Sequence, residues 1–387
     1  MVTAAQPLST ASAPPAARVR HLGPNWYAAV MGTAILGSAG VALPAHTPGP
    51  RDVFAGAWVL SLIMLVTLLA ARAVHWARHG DQARAHLLDP AVAPFYGCLS
   101  MALLAVGGGA MTAGREVVGT GTAVALDAVL FTAGTAIGLA AAVAVPYLMA
   151  VRHRVEPAQA SPAWLLPLVA PMVSAALGPL LVPHLPAGQP RETLLLACLA
   201  LFGLSLFASL LMLSLVFARL VSGPLPLALT PTLFLVLGPL GQSTTAVGRI
   251  ADAAPGVVPA ADARGLAVFA VLYGVPVMGF ALLWLALATA HVVRARRRGM
   301  GFAMSWWAFT FPVGTCVTGA MALARHTGLA AYDGLAVGLY ALLGAAWLAA
   351  AAGTVRGLLS GELLAAPRPA PVAPRPGTGR TRSGADR

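Results

Sequence analysis

Residues 193–220 read TLLLACLALFGLSLFASLLMLSLVFARL, and Arg219 is the first charged side chain in the run. At 1.5 Å per residue, about 20 such residues cross the ~30 Å hydrocarbon layer of a bilayer. The run lacks the alternation that lipid-out, lumen-in barrel strands require, so it reads as a membrane-spanning helix. Comparable stretches recur on both sides of it: Pro24–Leu43, Val53–Val74, Ala91–Ala113, Thr122–Ala150 and Ala163–Pro183 before, and Leu227–Ile250, Gly265–Val292, Phe302–Ala324 and Tyr332–Val355 after. The whole chain of 387 residues is 58% hydrophobic and 9% charged. Soluble domains carry about 25% charged residues, so a large extramembrane enzyme domain is excluded. The expected fold is an all-α polytopic membrane protein: ten transmembrane helices paired as five helical hairpins.

The formal charge is +12, and every basic residue is arginine. The arginines sit in short connections and in the tail, where they orient helices and meet headgroups. They are not a nucleic-acid footprint. Eighteen fall on the side of the N-terminus and six on the other, the densest group being Arg294, Arg296, Arg297 and Arg298. The positive-inside rule then places both termini in the cytoplasm, with the protein multi-pass in the cytoplasmic membrane. The domain reading is a disordered N-terminus at 1–23, a ten-helix domain at 24–356 and a disordered Pro/Arg-rich tail at 357–387. Cys98, Cys198 and Cys316 lie singly in apolar runs and read as packing residues, and no cofactor or metal motif appears.

Helix breakers concentrate in the odd-numbered spans. Pro171 and Pro179 fall in the fifth, Pro231 and Pro239 in the seventh and Pro312 in the ninth; the first carries Gly32 and Gly37. Backbone freed by proline must be satisfied by protein or water, which predicts an inner ring of odd-numbered helices surrounded by straighter even-numbered ones. PMVSAALGP (171–179) and PTLFLVLGP (231–239) share the pattern P-x5-L-G-P, as repeated hairpin units would. Ionisable residues are nearly absent at mid-depth, which argues against a proton-relay pump or a haem carrier. Candidate lining groups are neutral: Asn25, Gly32, Thr33, Thr112, Ser174, Gln242, Ser243, Thr244 and Thr315, with Thr245 and Thr318 beside them. If the seventh helix breaks at Gly238–Pro239, the amides of Gln242–Thr245 face the interior as a weak anion site.

GPNWYAAVMGTAIL (23–36), PTLFLVLGPLGQST (231–244) and SWWAFTFPVGT (305–315) resemble motifs of the tellurite-resistance/dicarboxylate transporter family. That family includes TehA, yeast malate permeases, fungal sulfite efflux pumps and plant slow anion channels. The resemblance runs through all ten spans and departs at Ala34 and Tyr27, where many members carry glycine and phenylalanine. It implies a homotrimer with one pore per subunit, and a phenylalanine gate that falls on Phe311, with Phe309 second. The expected function is passage of small anions (C4-dicarboxylate, sulfite or inorganic) without substrate chemistry. Its rivals are a proton-coupled carrier and, in another class, a membrane-embedded enzyme or redox subunit.

Overall fold

A computed structural model describes residues 20–44, 51–153, 155–156 and 159–364. Most of the expected N-terminal segment, and the tail from 365 on, lie outside the described residues. Ten helices among the described residues build the bundle. They are α1 (Tyr27–Ala42), α2 (Arg51–Arg78), α3 (Tyr96–Met111), α4 (Thr120–Leu148), α5 (Leu166–Leu177), α6 (Gln189–Ser222), α7 (Leu237–Ala253), α8 (Ala260–Arg297), α9 (Phe311–Thr327) and α10 (Ala330–Leu359). Each apolar run of the sequence falls on one of them, and no named strand occurs among the described residues. Eight are long and apolar enough to cross a membrane, some with their 3-10 flanks included. The other two, α1 and α7, carry Gly, Ser, Thr or Gln among their apolar residues and are enclosed by other helices. A helix shielded from lipid can be less apolar than one that faces it. α10 continues to Leu359 and a 3-10 turn follows at Glu362–Leu364, past the boundary expected at 356.

Burial divides the helices into two kinds. In the most apolar stretches of α3, α5 and α9, 78–94% of residues are buried against protein; in α2, α4, α6, α8 and α10 the share is 22–28%. The second group presents bare apolar side chains, such as Phe207, Leu211 and Leu272, each at least 70% exposed. Acyl chains cover such a surface without penalty, whereas water would not. Consecutive helices pack as pairs, α1 with α2 through α9 with α10. The odd-numbered helices also touch in series: α1 meets α3, α3 meets α5, α5 meets α7, α7 meets α9, and α9 returns to α1.

Polar tips tie the lipid-facing helices to the buried ones. Trp58 Nε1 of α2 donates to Val106 O of α3 at 3.0 Å, and Ser205 Oγ of α6 to Leu168 O of α5 at 2.5 Å. On the same plan Trp284 Nε1 of α8 donates to Leu233 O at 2.9 Å, and Trp347 Nε1 of α10 to Thr33 Oγ1 of α1 at 3.0 Å. Each such bond is worth about 1 kcal/mol net, and more if its loss leaves a buried partner unsatisfied.

The breakers act differently from their expected role. Every odd-numbered helix begins with a 3-10 segment: Pro24–Trp26, Ala93–Phe95, Pro162–Leu165, Leu227–Val236 and Met304–Phe309. Pro312 is therefore not a kink within a continuous helix. It occupies the first turn of α9, where its missing N–H removes no intrahelical bond. Pro239 lies likewise in the first turn of α7, and Pro231 in the 3-10 run before it. Pro171 alone of the five sits inside an α-helix; Pro179 follows the end of α5 in a 3-10 turn. The two P-x5-L-G-P segments are consequently not structural equivalents. Leu177–Gly178–Pro179 ends a helix, whereas Leu237–Gly238–Pro239 opens one.

Candidate functional site

The odd-numbered helices enclose a narrow cavity of about 20 Å³, room for roughly one water. Each contributes at the spacing of one helical face. α1 supplies Ile35 and Ser38, α3 Ala105, α5 Val173 and Leu177, α7 Gln242, Thr245 and Arg249, and α9 Phe311 and Thr318. Residues three, four and seven apart share a face, which is why 242, 245 and 249, or 311 and 318, reach the same space. Phe311 is 2% exposed and forms one wall. The only charged lining side chain is Arg249, whose Nη1 donates to Ala176 O of α5 at 3.1 Å. The Gln242 Oε1 atom is buried without a hydrogen-bond partner among the described residues. The cavity is thus walled by apolar groups and furnished with one guanidinium, one amide and three hydroxyls, a set that suits an anion shedding its water.

α7 and α9 lie unusually close. A Cβ at Gly241 would stand 2.5 Å from Cys316 N and 2.6 Å from Thr315 C, so only glycine fits there. Hydroxyls lace the contact: Thr245 and Thr318 share a hydrogen bond of 2.7 Å, Thr315 Oγ1 bonds Pro312 O at 2.7 Å, and Thr318 Oγ1 bonds Thr315 O at 3.0 Å. Ser and Thr in helices commonly bond their own backbone in this way.

The expected site residues divide accordingly. Phe311 and Gln242 line the cavity, together with Thr245 and Thr318. Thr112 caps the end of α3 and bonds Ser38 Oγ at 3.3 Å, behind the lining. Thr33 bonds Ala29 O and accepts the Trp347 indole, which turns it toward α10. Ser174 accepts from Thr135 of α4 at 2.9 Å, and Ser243 bonds Leu240 O and lies against α6. Thr244 also bonds Leu240 O and packs toward Gly274 and Gly319, while Gly32 seats α1 on Thr310 and Trp307. Asn25 belongs to the 3-10 turn before α1. Phe309 stacks edge-on against Phe234 at 4.8 Å and Trp306 at 5.8 Å, away from the cavity. The amides of Gln242–Thr245 lie beyond the first turn of α7 and are taken up by intrahelical bonds, so the anion site expected from them is not formed.

Arg249 is a lining residue absent from the neutral candidates read from the sequence, and it falls at the end of the apolar run 227–250. Its signal was its spacing, four residues after Thr245 and seven after Gln242. Asp127 of α4 is 1% exposed, lies under Gly107 of α3, and has no hydrogen-bond partner for either oxygen among the described residues. At the face where the odd-numbered helices begin, the His75 and His86 rings stack in parallel at 5.5 Å, beside Arg72, which donates to Leu22 O at 2.7 Å. Burial, then the neighbouring His75 and Arg72, hold the His86 imidazole below its ordinary value.

Similarity to known proteins follows the same helices. The chain is 27% identical over 350 residues to an uncharacterized transporter of Methanocaldococcus jannaschii, covering 89% of this chain and 96% of that one. It is 26% identical over 344 residues to a sulfite efflux pump of Arthroderma otae, covering 87% and 91%. The sulfite efflux pump of Trichophyton rubrum is 26% identical over 322 residues, covering 81% and 85%. These relatives are named as transporters, not enzymes. Residues 21–355, which contain all five walls of the cavity, match the voltage-dependent anion channel description, and the chain belongs to that SLAC1 family.

Proposed function

We propose that this protein moves small anions across the cytoplasmic membrane along the axis of the five odd-numbered helices, with Phe311 as the gate. The observation that carries this reading is the cavity itself: every odd-numbered helix contributes to it, its one charge is Arg249, and Phe311 fills it down to about the size of one water. An anion entering such a space exchanges water for Arg249, the Gln242 amide and the hydroxyls of Ser38, Thr245 and Thr318. One guanidinium already engaged with Ala176 O attracts the ion without trapping it, as passage requires. Aside from the gate, the reading holds that all ten helices cross the membrane, that both termini are cytoplasmic, and that three copies assemble with one path each. Sulfite heads the substrate panel because two fungal relatives are named as sulfite efflux pumps. Malate, chloride and nitrate complete it.

Purified protein in liposomes provides the test. Flux of at least one of these anions that scales with protein supports the reading, and flux of none in well-folded protein removes it. Flux driven by membrane potential alone marks a channel, whereas flux that needs a pH gradient marks a carrier. Labels placed at Arg294–Arg298 should react only from the cytoplasmic side of intact cells, and cross-linking should trap trimers.

A further inference from the structure

We infer that the pocket between the C-terminal ends of α6 and α8 is a binding site for an anionic phospholipid headgroup. The pocket has a volume of about 220 Å³, equal to about seven waters at ~30 Å³ each. Its floor is the last turn of α6, the loop after it and the 3-10 run that leads into α7, with Leu220, Leu225, Leu227 and Leu233. Its rim is the end of α8, where His291, Arg294 and, just past the last helical residue, Arg298 follow at spacings of three and four.

Charge decides what this pocket holds. No Asp or Glu occurs between residues 193 and 251 or between 263 and 332, so every segment lining it is free of carboxylates. Two neighbouring arginines are already engaged: Arg219 donates to Gly223 O at 2.7 Å and Pro224 O at 3.2 Å, and Arg296 donates to Met300 O and lies 5.3 Å from the Trp306 ring centre. Arg294 and Arg298 are exposed, and their guanidiniums have no hydrogen bond or ion pair among the described residues. Two uncommitted guanidiniums above a leucine-lined floor fit a phosphodiester and the glycerol backbone below it. A free inorganic anion gains nothing from the leucines. A lipid gains from both, and its acyl chains continue along the exposed apolar faces at Val221, Leu227 and Val293. The headgroup so placed braces the segment that positions α7, which Trp284 already grips through Leu233 O.

The test uses full-length protein in neutral detergent, titrated with phosphatidylglycerol in mixed micelles and read by its thermal unfolding midpoint. The midpoint should rise saturably for the wild type. The pocket variant Arg294→Gln/Arg298→Gln should need about 30-fold more lipid. Arg152→Gln/Arg297→Gln removes the same charge outside the pocket and should titrate like the wild type. Leu225→Trp, which narrows the pocket without altering charge, should weaken binding as well and does not depend on the arginine variant folding. Phosphatidylcholine, glycerol 3-phosphate and inorganic phosphate should produce no shift. An equal response to phosphatidylcholine, an equal shift with phosphate alone, or unchanged titrations in both pocket variants would overturn the assignment.

Discussion

Replacing Phe311 by alanine separates a gate from a packing residue by the sign of its effect. The ring walls a cavity of about 20 Å³. Removing its six carbons opens on the order of 100 Å³ more, about three further waters at ~30 Å³ each. Gln242, Thr245 and Thr318 line the enlarged space, so water rather than vacuum fills it, and a partly hydrated anion gains room to pass. The expected result in liposomes is a rise in anion flux of at least tenfold, equivalent to ~1.4 kcal/mol off the barrier. The unfolding free energy should fall by less than the ~3–5 kcal/mol typical of a phenylalanine truncated in a dry core. Phe309→Ala is the control. Its ring packs on Phe234 and Trp306, so it should lose about 0.5–1.5 kcal/mol of aromatic contact on top of its buried area, with no gain in flux. A gain in Phe309→Ala without one in Phe311→Ala would mean that the wrong ring was chosen. Well-folded Phe311→Ala with flux at or below the wild type would refute the gate.

Arg249→Gln removes the one charge of the cavity and its bond to Ala176 O, and should cut anion flux at least tenfold, as expected when a charged hydrogen bond of about 1.5–3 kcal/mol is lost; flux assays that show no change would sink its role. Gly241→Ala drives a methyl into the α9 backbone at 2.5–2.6 Å, so α7 and α9 must part, and calorimetry or thermal scans should register a loss of about 1–3 kcal/mol. The depressed imidazole of His86 favours its neutral form in the fold, so the unfolded chain binds the proton more readily; stability should decline as pH falls below the ordinary histidine value of about 6.5, and His86→Gln should flatten that decline in thermal scans between pH 8 and 5.

Composition alone was enough to assign the membrane class, because a chain with 9% charged residues cannot coat itself against water. The apolar runs located the helices, and three short motifs pointed to the family that residues 21–355 match. Rotation about each helix axis was harder to read. α1 spreads its few polar residues around its circumference without a distinct face, so no periodicity distinguished the face of Ile35 and Ser38 from that of Thr33, which turned out to serve Trp347. Ser174 was similarly claimed by Thr135 of a neighbouring helix, a partner 39 residues away that local spacing does not reveal. Prolines misled for a different reason. Pro239 and Pro312 read as kinks inside long apolar runs, yet an apolar run does not show where its 3-10 part stops and its α part begins. Arg249 was not legible as a lining residue because it ends the apolar run 227–250, where charged side chains usually sit at the interface.

The 3-10 lead-ins also set how far the buried helices can reach. α5 has 12 α-helical residues and is flanked by 3-10 turns of 4 and 3 residues. At 1.5 Å and 2.0 Å rise respectively, that segment extends about 32 Å, against about 28 Å if all of it were α-helical. It only just matches a hydrocarbon slab of ~30 Å. The lipid-facing α6 and α8, with 34 and 38 residues, extend to about 51 Å and 57 Å and can absorb a thicker bilayer by tilting less. α5 has no such slack. A change in membrane thickness is therefore felt as tension along the α5 wall of the cavity, although that wall scarcely touches lipid.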